Sequence, residues 1–141
     1  MLAPGGKALH FTVAIANPNL TTHADTSLVV SMGHCSCVDT PTGEAPQGTL
    51  QEWRPATGTW DSVQYVTEGT GMDFLSRPQQ TALSLGPHTS SSFTFHVRFN
   101  ATQPNPVHEG QVMLDASLLS REQRLLSPSS ATSATLRVKA H

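Results

Sequence analysis

Charge is scarce in this chain. Only 13% of its 141 residues are Asp, Glu, Lys or Arg, about half the usual share of ~25% for a globular domain. The net charge is -2 and no cluster of Lys and Arg occurs. That removes the electrostatic footprint expected of a protein that binds nucleic acid or an anionic membrane surface. Long hydrophobic runs are missing too. No stretch approaches the ~18 apolar residues of a spanning helix, so no membrane insertion is expected. No charged-then-apolar signal segment is visible, and residues 1–6, with Pro4, Gly5 and Gly6, read as a flexible leader. Cysteine is nearly absent. Cys35 and Cys37 stand two positions apart, so they cannot staple distant parts of a fold, and packing must hold it.

What is present is a period of two. Phe93, Phe95, Val97 and Phe99 alternate with Thr94, His96 and Arg98, the pattern of a strand with one dry and one wet face. The rhythm recurs at Lys7 to Ala16, Thr26 to Met32, Thr49 to Arg54, Trp60 to Val66, Thr81 to Leu85, Gln111 to Ser120 and 133 to 140. Pro55 to Thr59 reads as a reversal that closes a hairpin between Trp53 and Trp60. Residues 67 to 80 read as a loop that docks Phe74. Helical spacing is lacking. The pattern predicts one all-β domain over 1–141, an antiparallel sandwich of seven to eight strands of immunoglobulin or fibronectin-III type.

Three segments carry a family resemblance. Phe11-Thr12-Val13-Ala14-Ile15-Ala16-Asn17 is a strand ending in Asn. Leu83 to Phe93 holds the turn Gly86-Pro87-His88-Thr89, and His108-Glu109-Gly110-Gln111-Val112 is a Gly-led strand entry. Together they resemble the immunoglobulin-like accessory domains of secreted or wall-anchored proteins of high-GC Gram-positive bacteria. In those domains the turn usually reads Pro-Gly, and here the two residues are transposed. The resemblance implies a secreted or cell-surface module without catalytic residues, acting in binding, adhesion or as a spacer toward a protein or glycan partner.

The residues themselves offer two chemical alternatives. Cys35 and Cys37 can form a local disulfide if the strand bends between them, since an extended strand holds their Cα atoms near the upper limit for a bridge. They can also remain free thiols, or join Met32 and His34 as soft ligands for copper or zinc, with His10 or His23 arriving from elsewhere. A tetrahedral zinc site usually has a second ligand pair, which this chain lacks. Separately, Trp53, Trp60 and Tyr65 could form a flat platform for a sugar or a partner, with one Trp expected in the core. The seven histidines are scattered and read as polar residues on strands and loops. No Gly-x-Ser-x-Gly elbow is present. The expectation is therefore a non-catalytic extracytoplasmic binding module without a cofactor. The alternatives are a metal or redox module at His34-Cys35-Ser36-Cys37 and a carbohydrate-binding module using Trp53 and Trp60.

Overall fold

The computed structural model describes residues 1–33, 35–41, 45–68, 72–77, 83–122 and 124–140. Their strands are β1 (Leu9–Ala16), β2 (His23–Gly33), β3 (Gly48–Arg54), β4 (Thr59–Ser62), β5 (Gln64–Glu68), β6 (Met72–Arg77), β7 (Leu83–Leu85), β8 (Ser90–Phe99), β9 (Gly110–Leu119) and β10 (Ala131–Val138). They make two antiparallel sheets. One has the order β1-β8-β3-β4, and the other runs β10-β9-β2-β6-β5 with β7 beside β2. Among the described residues no helix is long and apolar enough to cross a membrane.

Alternation explains which faces meet. Leu9, Phe11, Val13 and Ile15 of β1 lie across from Val97, Phe95, Phe93 and Ser91 of β8. Their apolar side chains point at the other sheet, where Leu28, Val30 and Met32 of β2 and Val112 and Leu114 of β9 complete the core. Phe95 is fully buried and stacks on Phe11, with ring centroids 5.5 Å apart. Truncating such a side chain to Ala costs about 3–5 kcal/mol, a large part of a typical ~5–15 kcal/mol stability.

Four expectations need correction. Residues 1–6 are not a free leader. Leu2 is fully buried, bridges in parallel to Val138, and exchanges backbone hydrogen bonds with Arg137 and Lys139. An apolar side chain at the open end of a sandwich is worth burying, and that anchors the segment. Among the described residues there are ten strands rather than seven or eight. Part of the excess comes from Trp60 to Val66, which is not one strand. β4 pairs with β3 in one sheet, Val63 turns inward, and β5 continues in the other sheet. The rest comes from residues 67 to 80, expected as a loop. Of these, 69–71 and 78–80 lie outside the described residues, and the remainder holds the end of β5 and β6, which pairs with both β2 and β5. Backbone donors beside a sheet edge are satisfied by joining it, and two glycines in the run hid this in the sequence.

Candidate functional site

The β3–β4 hairpin builds the site. Its turn, residues 55–58, closes with the Gly58 amide donating to the Arg54 carbonyl at 2.8 Å. Gly58 sits at φ +64, a conformation that suits glycine. The resulting register puts Trp53 opposite Trp60. Both indoles lie on the outer face of the four-stranded sheet and are half-buried, so neither is the core tryptophan the sequence suggested. Trp53 shares its face with Gln51, which pairs with His96, and the inward positions of β8 are already filled by Phe95 and Val97.

Register then gathers residues far apart in the chain. Gln51 and His10 are both cross-strand partners of His96. Trp60 lies flat on the His96 ring, with centroids 3.9 Å apart and planes 16° from parallel. His10 meets both rings edge-on, at 5.4 Å from Trp60 and 5.2 Å from His96. Trp53 continues the cluster at 5.3 Å from Trp60. The result is one contiguous cluster of rings on the outer face, in which only Trp60 and His96 are stacked and Trp53 is tilted 56° from Trp60.

His96 is also oriented. Its Nε2–H donates to the Gln51 Oε1, which leaves Nδ1 as the unprotonated nitrogen of the neutral ring. Burial under Trp60 lowers its pKa from the usual 6.5, and the neighbouring His10 lowers it further. A neutral imidazole with a free lone pair can accept a proton.

The reverse face of the hairpin carries a charged group. Glu52 is buried, and the Arg54 guanidinium faces its Oε2 at 3.3 Å without hydrogen-bond alignment. Arg54 Nε also donates to Asp61 Oδ2 at 3.2 Å. Burial raises the Glu52 pKa above its usual 4.5, Arg54 opposes that rise, and Asp61 adds to it. Arg54 therefore does not share the Trp53 face. Tyr65 sits on β5 in the other sheet and so does not extend the platform; its side chain lies outside the described residues.

Cys35 and Cys37 are buried, with Cα atoms 5.2 Å apart and their sulfurs at bonding distance. The chain bends at Ser36, whose amide donates to the Gln111 carbonyl at 2.8 Å, and the His108 amide donates to the Cys37 carbonyl. An exposed His108–Asp39 contact of 3.1 Å braces the same junction. Sulfurs turned on each other are not presented to a metal. Met32 is fully buried on β2, and His34 lies outside the described residues. Among the described residues no group of three His, Cys, Asp or Glu side chains converges. His23 lines a separate cleft of about 450 Å³ between the β1 and β10 edges, beside Ile15, Leu28 and Leu118.

Histidines read as scattered in the sequence thus include two that belong to the site. The available signal was their outward phase on β1 and β8. Their meeting depends on register, which a single strand does not encode.

No family model matches the chain, and no curated protein matches it. Among solved structures it is similar to one described as AvmM, which catalyzes macrocyclization in alchivemycin A biosynthesis. The TM-score is 0.59 at 11% identity, over 99% of this chain and 84% of that one. The likeness is one of fold. It corrects the expectation that the chain is not an enzyme, which rested on the strand pattern and the lack of an assembled catalytic set: the neighbour, of similar fold, is described as catalyzing a reaction.

Proposed function

We propose that the protein binds a small molecule with a flat ring face, a sugar or an aromatic ring, on the outer surface of the four-stranded sheet. Trp53, Trp60 and His10 form the platform, and His96, held by Gln51, is the ring on which Trp60 rests. The observation that carries this reading is the Trp60–His96 stack at 3.9 Å. Aromatic rings there contribute nothing to the core, and ring faces are effective surfaces for flat ligands.

The strand order also supports an immunoglobulin-like reading of the sandwich. The neighbours β1-β8-β3 correspond to the second, fifth and fourth strands of that fold, and β10-β9-β2 to its seventh, sixth and third. An extracytoplasmic location is supported by the paired cysteines, because disulfides persist in oxidising compartments.

The test is a titration of the protein with soluble oligosaccharides and with simple aromatic compounds, followed by isothermal titration calorimetry, because the two tryptophans of the chain are themselves the substituted residues. Saturable heat of binding that is lost in Trp53→Ala and Trp60→Ala supports the reading. Binding unchanged by both substitutions, or no binding of any compound, contradicts it.

A further inference from the structure

The ring platform runs into a groove of about 420 Å³ lined by residues 5–8, Thr49, Gln51, His96 and Arg98. His96 and Gln51 therefore belong to both features. The groove floor is set by register: Arg98 lies across from Thr49, one alternation beyond the His96–Gln51 pair. Residues i and i+2 of a strand share a face about 7 Å apart, so the Arg98 side chain emerges beside the His96 ring. The opposite wall is the segment before β1. Two glycines let it run close to the sheet. Gly5 sits at φ +68, with its amide donating to the Phe99 carbonyl at 3.2 Å. A side chain on Gly5 would meet Ala101 at 3.2 Å, and one on Gly6 would meet the Ala3 carbonyl at 3.0 Å. Lys7 follows directly and is exposed.

The charge of this groove is one-sided. Among the described residues, Lys7 and Arg98 are its only charged lining residues and no carboxylate lines it. Neither cation takes part in an ion pair among the described residues. In a chain of net charge -2, this is a local excess of two positive charges next to a ring-binding face. Thr49 adds a hydroxyl donor at the same place.

Building on the ring-binding reading above, we propose that the ligand's ring carries an oxyanion substituent, a carboxylate or a phosphate, which the Lys7–Arg98 groove holds while the ring lies on Trp60 and Trp53. The platform then supplies most of the contact area and the groove supplies selectivity. Two exposed cations acting on one anion discriminate it from a neutral isostere on the order of tenfold, and the preference falls as salt screens the charges.

The experiment compares 2-naphthoate with the isosteric 2-naphthamide, and methyl β-glucuronide with methyl β-glucoside, by amide and indole NMR shifts in the wild type and in Lys7→Gln/Arg98→Gln. Both substituted positions are exposed, and an unchanged amide spectrum of the free variant confirms its fold. The expected result is that at least one anionic probe binds the wild type about tenfold tighter than its neutral partner, and that the double variant binds the two alike, at the neutral partner's affinity. If anionic and neutral members bind the wild type equally, or the preference survives in the double variant, the oxyanion inference is overturned and the ring reading stands. If no ring compound shifts the Trp53 and Trp60 indole signals, the ring reading fails and takes this inference with it.

Discussion

Trp60 covers His96 with its ring plane tilted only 16° from that of the imidazole. The two residues come from β4 and β8, which are not neighbours in the sheet, because β3 runs between them. The indole therefore reaches across Gln51, and Gln51 fixes the imidazole at its edge through its Oε1. This arrangement makes His96 a sensor of the whole platform.

His96 titrates below the ordinary histidine value of 6.5, because burial and His10 both disfavour its cation. A group with a depressed folded pKa stabilises the fold above its unfolded pKa, and that contribution is lost as pH falls through the folded value. Imidazole proton shifts followed by NMR from pH 8 to pH 4.5 measure it directly. Trp60→Ala and His10→Ala each move the midpoint up toward 6.5, the first by rehydrating the ring and the second by removing a like charge.

Glu52 has the opposite sign. Its pKa is raised, chiefly by burial, so its contribution is fully present below the unfolded value near 4.5 and is lost as pH rises through the folded value. Relative to Glu52→Gln, the wild type loses stability on going from pH 4 to pH 8. Urea unfolding of both proteins across that range checks the slope of the difference.

Asn17 is a buried polar clasp. Its Nδ2 donates to the carbonyls of Thr21, Leu85 and Gly86 at 2.8–3.1 Å, and its Oδ1 accepts from the Asn19 amide at 3.1 Å. Asn17→Ala leaves buried acceptors unpaired, at a cost of about 1–3 kcal/mol. Asn17→Asp is at least as damaging, because it turns a carboxylate oxygen toward three carbonyls. Thermal unfolding of the two variants ranks them.

Gly110 marks where the cysteine bend crosses β9. A Cβ there would stand 2.7 Å from the Ser36 carbonyl oxygen and 2.9 Å from the Cys37 Cα, both backbone atoms. Gly110→Ala therefore displaces the bend and destabilises the fold by about 1–3 kcal/mol. In the wild type, thiol titration under denaturing, non-reducing conditions finds no free thiol. Reducing the pair costs no more than about 1–2 kcal/mol, because the closed ring spans so few residues.

The sequence made the layers legible because each strand carries its own alternation. Phe93 to Phe99 announces both the buried face and the outward phase of His96, and Leu9 to Ile15 does the same for His10. It also announced the Trp53–Trp60 hairpin, since the turn residues and the strand pattern are local. What it could not encode was the cross-strand register that stacks Trp60 on His96 across β3, a property of three strands together. The course of β6 was hidden because the glycines just before it, Gly69 and Gly71, are turn signals in the sequence. The anchoring of Leu2 was hidden because an opening segment rich in Gly and Pro reads as a leader whether or not one apolar side chain finds a cavity. The site was thus half visible, as two aromatics without their histidines.

The central claim is that a flat-ringed ligand rests on the outer face of the four-stranded sheet. Mapping chemical-shift changes from a bound 2-naphthoate or glucuronide probe tests it most directly. The account predicts saturable changes centred on the Trp53 and Trp60 indole N–H groups and the His96 ring. Changes centred instead on Ile15, Leu28 and Leu118 in the cleft between β1 and β10, with the indoles silent, would contradict it.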